Sequence, residues 1–398
     1  MNPKERLLLF LLAAINFTHI LDFMIIMPLG NYLMPFFKIS TQQFSLIVSS
    51  YSYAAFTSGI IAAFVIDNFD RKKTLIFGYT GFIIGTFLCG IAPDYKFLVA
   101  ARILAGLFGG LIGAQVMSIV ADTFPYEKRG RAMGYLMAAF SVASVLGVPF
   151  SLYLANFLSW HAPFILVAAM GAVLIPFTIK FIPPMKSHLG DVKRKPAESF
   201  MVIFSRPEAL IALTLSASIM LGHFVIIPFI NPFMEFNVGF TKEEIPLIYV
   251  VGGVATLFSA PIFGKLADKH GKLKIFTLTA LLTLPFVYLI TNMPAIPFYF
   301  VLIATGLWFI VSNGRSIAAQ SMVSNVIESQ YRGSFMSLNS SFQQLFIGTA
   351  SFIAGLIVTN DASGKINHYS WAGYFSIGVL LFCIYLGYVL KKKTPFVL

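Results

Sequence analysis

The chain has 398 residues, 58% of them hydrophobic and only 11% charged, with 42 Phe, 15 Met and a formal net charge of +12. An average soluble domain carries about 25% charged residues, so this composition excludes a soluble fold and points to an all-α membrane protein. The two cysteines, Cys89 and Cys383, lie inside apolar runs and suggest neither a disulfide scaffold nor a metal site; no cofactor is expected.

Twelve apolar segments are long enough to cross a bilayer, which takes about 20 residues each. They run approximately over 7–33, 41–66, 74–91, 96–121, 130–155, 162–182, 206–234, 243–263, 275–292, 297–324, 333–358 and 369–390, and are called spans 1 to 12 below. Before them, MNPKER is a short charged start, and no small-residue cleavage site follows it, so span 1 reads as a retained helix.

Span 1 contains HILDFMIIMPLG, and its Asp22 is the only acidic residue deep in any span. A carboxylate there is costly and is a functional candidate by default. Poised between burial and a neighbouring cation, it can take up and release a proton. The alternative is that Asp22 caps a local break near Pro28 and Gly30, or pairs permanently with an arginine. His19, three residues earlier, shares its helical face; it joins the proton site or packs as an ordinary core histidine. In span 3, Gly81 and Gly85 are spaced for close helix packing. Span 4 carries Arg102 six residues in, either snorkelling to the interface or serving as partner of Asp22 and trigger of proton release. It also carries Gln115. Span 7 adds His223 and Asn231. In span 10, Arg315 stands deep beside Asn313 and Gly314, placed to hold an anionic or hydroxylated substrate or to pair with a carboxylate. Span 11 adds Asn339, Gln343 and Gln344.

An even number of spans puts both termini on one side. With that side cytoplasmic, it holds 22 of the 28 Lys and Arg; Lys38, Lys96, Lys242 and Lys365 fall opposite, and Arg102 and Arg315 lie within spans. This is a strong positive-inside pattern. The positive charge serves topology and attraction to anionic lipid, and nucleic acid is not an expected partner.

The halves repeat. Ile26, Pro28, Asn31, Met34 and Phe36 recur as Ile226, Pro228, Asn231, Met234 and Phe236 at an offset of 200, Asp67 recurs as Asp268 at 201, and KRGRAMG recurs as YRGSFMS at 203. Two six-helix bundles therefore share one template, an arrangement used by transporters with a substrate site near the midplane. The expected division is 1–182, a cytoplasmic linker 183–205, and 206–398.

Six plus six helices, a basic central loop and Asp67-x-x-x-Arg71-Lys72-Lys73 after span 2 resemble the major facilitator superfamily over essentially the whole chain. That family carries a Gly-x-x-x-Asp-(Arg/Lys)-x-Gly-x-(Arg/Lys) loop after its second helix, echoed after the eighth. Here the second copy, from Gly264 through Asp268 and Gly271 to Lys274, fits well, whereas Ala63 and Asp70 replace the glycines of the first. Arg102 followed by Gly106, Gly109, Gly110 and Gly113 is similar to the family's fourth helix. Gly147 and Pro149 are similar to the fifth helix of its antiporters, with Ser151 and Ala155 where glycines often stand. The resemblance implies a cavity lined by spans 1, 4, 7 and 10. It also implies a cytoplasmic gate in which Asp67 faces the N-terminus of span 11 just after Arg332, Arg71 pairs with Asp122, Lys72 and Arg129 lie alongside, and Asp268 forms a weaker second latch. The expected function is proton-coupled efflux of a small amphiphilic or drug-like molecule by a monomeric carrier in a bacterial inner membrane. The alternative is a facilitator or symporter for sugars or organic acids, without coupling through Asp22. An enzyme is disfavoured: no loop holds a nucleophile–base pair or a phosphate-binding motif.

Overall fold

The computed structural model describes residues 3–65, 69–124, 126–186, 196–328, 331–361 and 363–394. Asp67 and the side chain of Arg129 lie outside the described residues. Among these, twelve helices are long and apolar enough to cross a membrane. In lipid no water is available for backbone N–H and C=O groups, so each apolar run closes its hydrogen bonds within itself as a helix.

The helices of spans 1 to 6 are Pro3–Ile25, Thr41–Val65, Arg71–Gly90, Tyr95–Thr123, Tyr126–Val142 with its continuation Val148–Phe157, and His161–Phe181. Those of spans 7 to 12 are Pro207–Phe224, Ile245–His270, Lys272–Thr291, Phe298–Val323, Arg332–Ile357 and Tyr369–Lys393. Span 1 is not one rod. Its helix stops at Ile25 and resumes as Gly30–Phe37, because Pro28 lacks an N–H and disfavours a helical conformation in the residue before it. Span 7 breaks at the matching place, ending at Phe224 and resuming as Ile227–Phe233 with Pro228 in its first turn. The repeated proline makes a repeated break.

Span 5 is interrupted differently. Residues Ala143–Gly147 form a π-helical turn, in which Val148 N–H reaches back to Ala143 C=O. Pro149 follows in the first turn of Val148–Phe157. A proline inside a helix clashes with the carbonyl four residues back, and the widened turn accommodates it.

The chain forms two compact units. One comprises residues 1–26 and 50–196, the other 27–49 and 197–398. The first has a core of Leu12, Ile15, Tyr79, Phe82, Ile112, Val116 and Ile119. There, span 3 meets span 4 at Gly85, where a Cβ would come within 2.6 Å of the Ala105 backbone nitrogen. The second unit contains Gly30–Phe37, the second piece of span 1, and the start of span 2. Thr41 Oγ1 donates to Val358 C=O at 2.6 Å, beside a two-stranded antiparallel hairpin pairing Thr359 with Asn367 and Asn360 with Ile366.

Candidate functional site

In the first unit, the glycines of span 4 bring it against span 2. A Cβ at Gly106 would collide with the carbonyl oxygen of Tyr51, so only glycine permits this approach. The approach sets the Arg102 guanidinium 4.3 Å above the Tyr51 ring centre, a cation–π contact. Arg102 Nη1 donates to Asp22 Oδ2 at 2.9 Å, and neither side chain is exposed at all. Gly147 admits span 5 next to this pair: a Cβ there would lie 2.8 Å from Cδ1 of Leu21, the residue before Asp22.

The pair is incompletely satisfied. Asp22 Oδ1, Arg102 Nε and Nη2, and the Tyr51 hydroxyl carry no hydrogen bond among the described residues. In a low-dielectric interior, polar atoms left without partners are costly. His19 is partly buried and sets its ring edge-on to Phe82 at 5.5 Å between centres. Asp22 is hydrogen-bonded to Arg102 rather than to His19. Gln115 is fully buried with neither amide atom bonded among the described residues.

Where span 3 begins and span 4 ends, Arg71 Nε donates to Asp122 Oδ2 at 3.1 Å, and Lys72 Nζ donates to Ile179 C=O at 2.7 Å. Asp70 does not imitate the glycine it replaces. It sits at φ −57° and caps span 3, accepting from the backbone N–H of Lys72 and Lys73, and also from Met185 N–H. Burial works against its charge, but those N–H donors and nearby Lys186 prevail and hold its carboxyl below the ordinary range. The repeat-related Gly271 instead takes φ 94° between spans 8 and 9. Asp268 is exposed and makes no hydrogen bond or ion pair among the described residues.

In the second unit, three amides expected to face substrate each hydrogen-bond to another helix or helix break. Asn231 Nδ2 donates to Pro28 C=O at 2.9 Å while its Oδ1 accepts from the Tyr249 hydroxyl at 2.9 Å. Asn313 Nδ2 donates to Thr256 C=O at 3.2 Å, and Gln343 Nε2 donates to Ser216 Oγ at 2.7 Å. The physical reason is general: in hydrocarbon a polar group is satisfied most readily by the neighbouring helix. Asn339 is 2% exposed and its Oδ1 is unbonded among the described residues. Asn31 donates to Glu235, a half-buried carboxylate with Lys242 Nζ 3.9 Å from its other oxygen. Glu235 lies just beyond the 206–234 run, and its place four residues after the repeated asparagine is the sign in the sequence that marks it.

Arg315 is 1% exposed and has neither hydrogen bond nor ion pair among the described residues. One and two turns earlier on the same face stand Ser312 and Trp308, both buried and with unbonded polar atoms. His223 of span 7 stacks on Trp308 with 5.1 Å between ring centres. Tyr51 and Trp308 were missed in the sequence because aromatic residues fill every span.

The model of the Major Facilitator Superfamily matches residues 12–229 and again residues 212–397, once for each half. The chain belongs to the major facilitator superfamily. It is thus a secondary transporter and an integral membrane protein, of a family that moves small molecules and does not comprise enzymes. Among Bacillus subtilis (strain 168) proteins, the uncharacterized MFS-type transporter YwfA is 25% identical over 92% of this chain and 87% of its own length. The uncharacterized MFS-type transporter YceJ is 24% identical over 64% of this chain, a match spanning 65% of YceJ. Multidrug resistance protein 3 of the same organism is 32% identical over 37% of this chain and 29% of its own length. Among solved structures, a bacterial homolog of the human lysosomal transporter Spinster, inward-facing and occupied, superposes with a TM-score of 0.78 at 14% identity, covering 99% of this chain and 98% of that one. A D-xylose–proton symporter gives 0.77 at 16% identity, covering 95% and 96%. These superpositions establish the shared fold.

Proposed function

We propose that this superfamily member is a proton-coupled exporter of small amphiphilic molecules, working by alternating access with both termini cytoplasmic. The observation that carries the reading is the fully buried Asp22–Arg102 pair. Two desolvated charges are an expensive way to hold helices together, and apolar residues often do so better. Such a pair earns its place where the charge state must change. Protonation of Asp22 frees Arg102, whose charge keeps the Tyr51 ring face; deprotonation restores the pair. Each exchange moves one proton and changes what spans 1, 2 and 4 prefer.

Three further features support efflux. Gly147 and Pro149 open a π turn beside the residue preceding Asp22. The charge imbalance of 22 against 4 supports placing both termini, and with them the Arg71–Asp122 end, in the cytoplasm. One relative, matched over part of its length, is named a multidrug resistance protein. At the cytoplasmic end, Arg71 and Asp122 act as a latch, with Asp67, Lys72 and Arg129 completing it and Asp268 echoing it. On the outer side, Asn31–Glu235 and Asn231–Pro28 must part for that side to open.

The test uses proteoliposomes with an internal pH dye, an imposed pH gradient, and a panel of lipophilic cations, neutral antibiotics, sugars and organic acids. Substrate-triggered proton movement in wild type, lost in Asp22→Asn while substrate counterflow persists, is the expected result. Transport under a gradient that is unchanged in Asp22→Asn would sink the coupling role and leave a facilitator.

A further inference from the structure

The unmet polar groups on the inner face of span 10 have a common chemical character. Arg315 Nε, Trp308 Nε1 and Ser312 Oγ are all buried and all unbonded among the described residues. A guanidinium and an indole N–H can only donate, and a hydroxyl can donate as well. At seven and three residues before Arg315, Trp308 and Ser312 fall on one stripe of the helix. What this stripe lacks is an acceptor carrying negative charge. No carboxylate pairs with Arg315 among the described residues. The groups near enough to interact with its charge are His223 and Cys383, neither of them an anion in its ordinary protonation state. An arginine held this way in a membrane is stabilised only when an anion arrives.

The surroundings also describe the rest of the ligand. Two turns before Arg315, Trp308 and His223 form a stacked aromatic pair, with Phe309 packed edge-on to Trp308 at 5.1 Å between ring centres. This surface suits a flat apolar body, not a polyol.

We propose that the exported molecule is an amphiphilic organic anion, with its acidic group on Arg315 and Ser312 and its apolar body along Trp308. This deepens the exporter reading and names the substrate class of its site.

Three probes with the same ring system separate charge from shape: 1-naphthoate, 1-naphthamide and 1-naphthylmethylammonium. Binding of each to the purified full chain in detergent is measured by calorimetry, for wild type, Arg315→Gln and Arg315→Lys. A charged hydrogen bond differs from its loss by about tenfold to a hundredfold in affinity. Naphthoate is therefore expected to exceed naphthamide by at least about tenfold in wild type. Arg315→Gln should erase that preference and Arg315→Lys should keep most of it. Quenching of tryptophan emission by naphthoate should fall in Trp308→Phe. Equal binding of naphthoate and naphthamide, an undiminished preference in Arg315→Gln, or no naphthoate binding at all would overturn the assignment. Asp22→Asn separates the two readings. Lost coupling with the naphthoate preference intact leaves the anion site standing; intact coupling without that preference leaves the exporter and removes its anion.

Discussion

The fourth span of each half carries one arginine, and the two are treated in opposite ways. Arg102, seven residues after the first residue of its helix, meets a carboxylate at 2.9 Å and an aromatic face. Arg315, seventeen residues after the start of its helix, meets donors and rings but no counter-ion among the described residues. One half holds its charge balance internally. The other leaves the balancing charge to be supplied. Under the proposed function this contrast would divide the work, with the proton taken by one half and the substrate by the other.

The largest expected effects test that contrast directly. Asp22→Ala strands a fully buried guanidinium and should cost about 3–5 kcal/mol of stability, read as a large drop in thermal midpoint in detergent. Arg315→Met removes a charge that has no partner, so it should leave the midpoint unchanged or raise it. If both variants fall equally, Arg315 has an internal partner and the contrast collapses. The double variant Asp22→Leu with Arg102→Met sharpens it further. It should recover most of the loss, because a buried ion pair is often no better than apolar packing, yet it should show no proton movement with substrate.

A middle tier concerns the two broken spans. Asn231→Ala leaves Pro28 C=O and the Tyr249 hydroxyl without partners, and each such buried group costs about 1–3 kcal/mol. The same change at Asn313 removes a donor to Thr256 C=O and Ser259 Oγ, two groups that also bond each other. Thermal midpoints should therefore rank Asn231→Ala below Asn313→Ala, and the reverse order would mean that the Asn231 stitch contributes less than its geometry implies.

What the sequence disclosed follows the same division. Hydropathy placed twelve spans because lipid leaves an apolar run little alternative to a helix. The repeat of Pro28 as Pro228 carried the paired breaks, since proline's effect is local. Asp22 and Arg102 each stood out as charges in apolar runs, but their partnership depends on how closely spans 1, 2 and 4 pack, and that closeness rests on Gly106 against Tyr51. The amides Asn231, Asn313 and Gln343 were read towards a cavity. From sequence, an amide that ties two helices and one that faces a substrate look the same, because helical period gives a face and not its neighbour.

The smallest effects come from the two repeat-related loops, where one template is built by two devices. Gly271 turns the chain with φ 94° and ψ 134°, a conformation that costs a residue with a Cβ about 1–3 kcal/mol. Asp70 turns it by capping, a contribution of about 0.5–2 kcal/mol. The devices differ in their response to acid. The carboxyl of Asp70 titrates below its ordinary range when folded, so its contribution is fully present above the ordinary carboxylate range. That contribution declines as pH falls through the depressed value, because the unfolded chain then binds the proton more readily. Gly271 has nothing to titrate. The midpoint difference between wild type and Asp70→Ala should therefore shrink on moving from neutral pH to well below the ordinary carboxylate range, while that for Gly271→Ala should stay constant. A constant Asp70 difference would mean that its side chain caps span 3 equally well protonated, and that the first loop, like the second, is held by backbone geometry alone.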